Sequence, residues 1–264
     1  MANWETCSSE IKDFILRLLR ESKELLTNEF VGFYIHGSLA MGGFNSNSSD
    51  IDILIVTSNS IDDMTKRKFA QLCLTHSNQP FPIEISCLNE SQLKNWEHPS
   101  SFDFHYSEYW RERYKDDLEN GTYLYLNEDT KTDADLSAHI TITTKRGICI
   151  EGKPIAEVFP SVPQSHYTSS IMGDFADCLV NIERDPIYCT LNMLRVFWYL
   201  KAGVVSSKLE AGKWGLLTLP KEMGTTINKV VGCYVKNKEV DILEKEELWV
   251  LRNYISDKVQ ELLN

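Results

Sequence analysis

Three acidic residues and a Gly-Ser turn carry most of the chemistry readable in this sequence. Gly37-Ser38 is followed, after 11 intervening residues, by Asp50-Ile51-Asp52, and Glu84 stands in a later apolar run. Carboxylates at i and i+2 on a strand point to the same side. Unpaired they repel each other, and a divalent cation is the usual remedy. Glu84 could complete an oxygen-ligand set for Mg²⁺, while a Gly-Ser turn offers backbone N–H groups and a hydroxyl to a phosphate. Together these are the parts of a site for in-line phosphoryl or nucleotidyl transfer. Taken singly, each has a plainer reading. A Gly-Ser pair can be an ordinary turn, Asp50 and Asp52 surface acid, and Glu84 a solvated residue on an edge strand.

The acids need elements that hold them, and the pattern supplies candidates. Residues 9–29 carry apolar positions at helical spacing, among them Ile11, Phe14, Ile15, Leu18 and Leu19. Residues 31–36 read as a buried strand ending at Gly37-Ser38, residues 41–50 as a polar loop, and residues 50–56 as a second strand. Ser60 with Asp63 reads as a helix start, and the helix is expected to run to about Thr75. Pro80 and Pro82 introduce a third strand over 83–88, where period two puts Glu84 and Ser86 on one face.

Residues 95–132 are expected to form loops or short elements. A helix is expected from Asp133 with Gly147 as its C-cap, and 151–164 reads as a connector. Runs at 167–182, 188–202, 221–234 and 239–263 are expected to be helical. The fold class is therefore α+β: an N-terminal domain of mixed sheet and helices over 1–158, then an all-helical domain over 159–264.

Composition narrows the function classes. The 264 residues carry 27 Lys and Arg against 38 Asp and Glu, a net charge of -11, which disfavours nucleic acid as a partner. Seven widely spaced cysteines without a CxxC pair suggest a reducing compartment and neither a disulfide framework nor a zinc site. No secretory leader and no membrane-spanning run is readable, so a cytoplasmic protein is expected.

With Gly37-Ser38, Asp50, Asp52 and Glu84 in place, the sequence resembles the nucleotidyltransferase superfamily. More narrowly it resembles the aminoglycoside 3''/9 adenylyltransferases, which modify streptomycin and spectinomycin. The likeness continues through Ser107-Glu108-Tyr109-Trp110-Arg111, the helix start Asp133-Ala134-Asp135-Leu136-Ser137, the segment from Gly152-Lys153-Pro154 to Pro163, and Leu191 to Gly215 with Arg195, Gly203, Lys208 and Trp214 in register.

The resemblance implies an ATP- and Mg²⁺-dependent adenylyltransferase, with two metal ions, acting as a monomer on an aminoglycoside or aminocyclitol antibiotic. It implies metal ligation by Asp50, Asp52 and Glu84, with Glu84 also the base that deprotonates the drug hydroxyl. It implies ATP contacts at Ser38, Ser49, Asp135, Lys208 and Tyr234, and drug contacts at Trp110 and Asp185 in a cleft between the domains. Each of these residues has a structural alternative. Trp110 sits among tyrosines, Asp185 precedes Pro186 as a helix cap would, Asp135 could complement a helix dipole, Lys208 could be solvated, and Tyr234 could be packing.

Two departures from the family pattern stand out. His36 replaces the usual Tyr before Gly-Ser, and it could be packing or could orient a ligand. The Trp and Asp associated with streptomycin fall on Ala176 and Asn181, which favours spectinomycin. Alternatives are a nucleotidyltransferase for another small molecule or a protein, and a non-catalytic nucleotide-binding regulator.

Overall fold

The computed structural model describes residues 1–126, 132–236 and 244–263. The chain contacts divide into two units, Ala2–Pro163 and Gln164–Asn264 with Met1.

The first unit opens with helix α1 (Ser9–Leu26), N-capped by the Ser8 hydroxyl, which accepts from the Ile11 N–H. The expected extension to residue 29 exists only as a 3-10 turn, Thr27–Glu29. Strand β1 (Phe30–Ile35) runs into the one-turn helix α2 (Gly37–Ala40), then strand β2 (Ile51–Thr57), helix α3 (Asp63–His76) and strand β3 (Ile83–Asn89). The cap of α3 is Asp62, not Ser60: its carboxylate accepts from the Thr65 N–H at 2.7 Å.

Short helix α4 (Glu90–Lys94) and strands β4 (Ser100–Ser101) and β5 (Phe104–Tyr106) follow, then helix α5 (Arg111–Asn120). Strand β6 (Thr132–Asp133) pairs with β4. Helix α6 (Leu136–Arg146) ends at Gly147 as expected, though with an ordinary negative φ of -72°. Glycine is needed there for space, since a Cβ would lie 2.6 Å from the Thr143 carbonyl oxygen. Strand β7 (Ile148–Gly152) and helix α7 (Ile155–Val158) close the unit. The connector expected at 151–164 thus begins inside a strand.

The five-stranded sheet has the order β5-β3-β2-β1-β7 and is mixed. β2 and β3 are parallel, while β1 pairs antiparallel with both β2 and β7, and β3 with β5. Parallel pairing needs a crossover, and α3 supplies it. One sheet face (Phe33, Ile35, Ile53, Ile55, Ile85, Cys87) packs on a core with α1 and α3, through Phe14, Leu18, Phe69 and Cys73. The other face (Tyr34, Leu54, Val56, Leu88) is covered by Leu136 and Ile140 of α6 and by Phe159. Strand periodicity therefore splits the residues cleanly between two layers.

The second unit is helical: α8 (Gln164–Asn181), α9 (Pro186–Ala202), α10 (Lys208–Thr218), α11 (Lys221–Lys236) and α12 (Lys245–Leu263). α9 is buried nearly all round, through Leu191, Met193, Leu194, Val196 and Phe197, and touches all four neighbours, which makes it the central helix. The start expected for the last helix, 239–243, lies outside the described residues. Among the described residues no helix is long and apolar enough to cross a membrane.

Candidate active site

The site grows out of one transverse row of the sheet. Asp52 and Glu84 are direct partners in the parallel β2–β3 register. On the other side of β2, His36 donates its backbone N–H to the Asp52 carbonyl, one step beyond the Ile35–Ile53 pair. Alternation from Tyr34 and Leu54 carries His36, Asp52 and Glu84 to the face beneath α6. Asp50, two residues before Asp52, adds a third carboxylate. Oxygens of Asp50, Asp52 and Glu84 all lie within 4.8 Å of one another.

Gly37 makes that convergence sterically open. Its φ of +58° suits glycine, and a Cβ there would sit 1.7 Å from Asp52 Oδ2. The Gly of the Gly-Ser pair is thus required by the Asp52 side chain as much as by the turn.

The electrostatics explain why such a row favours a cation. Burial raises the Glu84 carboxyl pKa above its ordinary value. His139 opposes that rise, while Asp50, Asp133 and Asp135 add to it. Carboxylates crowded together, with Asp52 and Glu84 partly buried, are costly without positive charge. Three carboxylates offering hard oxygen ligands at this spacing fit Mg²⁺, and the donor set contains no thiolate or imidazole that would favour a softer metal.

Other residues proposed from the sequence fall as follows. Ser38 lies in α2 with its hydroxyl oxygen buried and without a hydrogen-bond partner among the described residues. Ser49 is buried at the end of the loop, where its hydroxyl accepts from the Asn45 N–H at 3.1 Å. Asp135 is the N-cap of α6, and its own N–H donates to Asp133 Oδ1 at 2.7 Å. Trp110 stacks on Tyr114 with centroids 5.6 Å apart and carries the Arg113 guanidinium 4.9 Å from its ring centre. The neighbouring Glu108 and Arg111 form an i,i+3 ion pair that ties this segment to the Ser77 carbonyl.

In the helical unit, Asp185 caps α9 by accepting from the Tyr188 N–H at 3.2 Å. Lys208, the first residue of α10, holds its Nζ 4.3 Å from the Tyr188 ring centre. Asp185 and Lys208 therefore converge on Tyr188, while Tyr234 is half-buried on α11.

Two histidines at the acids were not among the proposed site residues. His36 is 2% exposed, and burial, with His139 next, holds its pKa well below the ordinary value. Its ring packs on His139 of α6 at 4.9 Å, and His139 Nε2 lies 3.7 Å from Glu84 Oε1. One signal was available: His139 follows Asp135 by four residues, so both lie on one helix face.

Comparison with known proteins agrees with this architecture. Residues 15–123 match the nucleotidyltransferase domain model, and residues 157–258 match that of the aminoglycoside adenylyltransferase C-terminal domain. A spectinomycin 9-adenylyltransferase of Staphylococcus aureus is 26% identical over 227 residues, covering 84% of each chain. One of Campylobacter jejuni is 25% identical over 262 residues, covering 97% of this chain and 98% of the relative. In fold, the chain is similar to the crystal structure of an Enterococcus spectinomycin adenyltransferase with ATP and spectinomycin. The TM-score is 0.76 at 20% identity, over 94% of this chain and 99% of that one.

Proposed function

The chain belongs to the aminoglycoside adenylyltransferases of the nucleotidyltransferase superfamily, and from that premise we propose that it transfers AMP from ATP to a hydroxyl of spectinomycin, inactivating the drug. The observation that carries this reading is the meeting of Asp52 and Glu84 on paired strand positions with Asp50, just before β2, beside Gly37.

Asp50, Asp52 and Glu84 would hold Mg²⁺, which when bound neutralises charge on the triphosphate. Glu84 takes the proton of the attacking hydroxyl as its oxygen bonds to the α-phosphorus. The bond from that phosphorus to the bridging oxygen breaks, and pyrophosphate leaves with the electron pair. The raised pKa of Glu84 suits this task, because a stronger base accepts the hydroxyl proton more readily. Ser38 and Ser49 serve the ATP phosphates in this reading, with Asp135, Lys208 and Tyr234 as further ATP contacts. Trp110 and Asp185 serve the drug. The enzyme acts as a cytoplasmic monomer, where ATP is supplied.

Spectinomycin is preferred over streptomycin because Ala176 and Asn181 stand where the streptomycin-associated Trp and Asp are expected. The relatives named above are also spectinomycin enzymes. The test is transfer of label from α-labelled ATP to each drug in parallel, with and without Mg²⁺. Labelled spectinomycin and unlabelled pyrophosphate are expected, both abolished by chelation and by Glu84→Gln. Transfer to streptomycin alone would overturn the choice of substrate, and transfer to neither would overturn the function. A fully active Glu84→Gln protein would remove Glu84 as the base.

A further inference from the structure

Glu84 is gripped at its backbone by pairing with Asp52, but its carboxylate is held differently. Among the described residues no hydrogen bond reaches it, and His139 holds its Nε2 3.7 Å from Oε1. His139 is an odd choice for simple filling. It projects from α6 between Leu136 and Ile140, which pack on the sheet, and its Nδ1 is buried with no hydrogen-bond partner. An orphaned buried ring nitrogen costs stability that leucine or phenylalanine in the same space would avoid. The imidazole also leans on His36, which is itself buried with an unpartnered Nδ1. Neither ring gains a hydrogen bond from the other, so packing alone sets the attitude of His139. That attitude aims Nε2 at Glu84.

We infer that His139 is a positioning residue: its Nε2–H holds Oε1 of Glu84, turning the carboxylate so that Oε2 meets the hydroxyl of the incoming substrate. The inference rests on the adenylyl-transfer reading above. It assigns His139 no contact with substrate and no proton transfer of its own. In ligand-free sites such contacts are commonly long and tighten when the reacting complex forms, which is consistent with 3.7 Å. The signal comes from two histidines, one from the end of β1 and one from α6, meeting over the acid row.

The test compares His139→Leu with His139→Gln, whose amide nitrogen can reach the place of Nε2, against wild-type and Glu84→Gln protein. His139→Leu is expected to lower kcat about 10–100-fold, the usual scale for losing a group that orients a ligating carboxylate. KM for ATP and for spectinomycin should stay within about two-fold, because ground-state binding is not its role. Thermal stability should hold or rise. His139→Gln should regain most of the lost kcat. Three results would overturn the inference: kcat within about two-fold of wild type in His139→Leu, a loss confined to KM, or a glutamine variant no better than leucine. A lower melting temperature in His139→Leu would reassign the ring to packing and overturn it too. Wild-type protein without transfer would bring down the adenylyl reading itself. Active wild type with inactive Glu84→Gln and fully active His139→Leu overturns the positioning role alone.

Discussion

Replacing Gly37 by alanine should damage turnover more than folding, and the structure gives the size of the effect. A Cβ on Gly37 would lie 1.7 Å from Asp52 Oδ2 and 2.4 Å from its Cγ, where real Cβ contacts stay above 3.0 Å. The carboxylate must therefore retreat by at least 1.3 Å, the difference between 3.0 and 1.7 Å. A displacement of this order in a group that positions reactants costs about 100-fold in rate. That corresponds to about 2.7 kcal/mol of lost transition-state stabilisation. The folding cost is separate: a non-glycine residue at φ +58° carries about 1–2 kcal/mol of left-handed strain.

The two costs are separable by a control. Gly121, at the end of α5, has φ +68° and nothing within 4 Å of its added Cβ. Gly121→Ala should pay the strain alone and keep kcat. Initial rates of labelled AMP transfer to spectinomycin, with thermal melts of both variants, make the comparison at a temperature where both are folded. Equal kcat in Gly37→Ala and Gly121→Ala would refute the claim that Asp52 must occupy the space over Gly37.

Further outcomes concern stability. Asp117 is fully buried, and its carboxylate accepts from the N–H groups of Leu124, Tyr125 and Leu126 and from the Thr122 hydroxyl. Asp117→Ala orphans three backbone donors and should cost about 3 kcal/mol or more, read as a fall in melting temperature of about 10 °C; a shift under about 2 °C would contradict the accounting. Burial first, then His139, depresses the pKa of His105 from 6.5 to about 4. Between those values the unfolded chain binds a proton the folded chain does not, so stability falls as pH drops from 6.5 to about 4. The loss has an upper limit of about 3 kcal/mol, reduced because the ring keeps some contact with water. Urea melts across that range should show a shallower acid slope for His105→Gln, and an unchanged slope would contradict the assignment.

What the sequence disclosed follows from which signals are local. Asp50, Asp52 and Glu84 were legible because strand alternation is a two-residue rule and apolar runs mark the strands. β7 was not legible: Ile148–Gly152 follows α6 after a single glycine and sits at the edge of the sheet, where only its pairing with β1 defines it. α5 escaped because its ten residues are mostly charged and only Tyr114 and Asp117 are buried. α10 escaped although Ser207 and Glu210 form a capping box; its interior carries Gly212 and Gly215, residues of poor helix propensity. Both glycines serve packing, since a Cβ on Gly212 would meet Val231 at 2.5 Å and one on Gly215 would meet Leu194 at 3.1 Å. His139 was hidden for another reason: its meeting with Glu84 depends on how α6 lies across the sheet, which no local period encodes.

The proximity of Glu84 to Asp52 also depends on strand direction. β2 and β3 are each seven residues long, and in parallel register Asp52 faces Glu84. Antiparallel pairing of the same strands end to end would set Glu84 opposite Val56, four residues from Asp52 and about 13 Å away along the strand. The alternation of both strands, and the sheet face to which it assigns each residue, would survive that reversal; the acid cluster would not. What excludes it is α3, which carries the chain back along the sheet so that β3 starts at the same end as β2. The apolar face of α3, with Phe69 and Cys73 buried against the sheet, is therefore as much a determinant of the acid cluster as the strands that bear it.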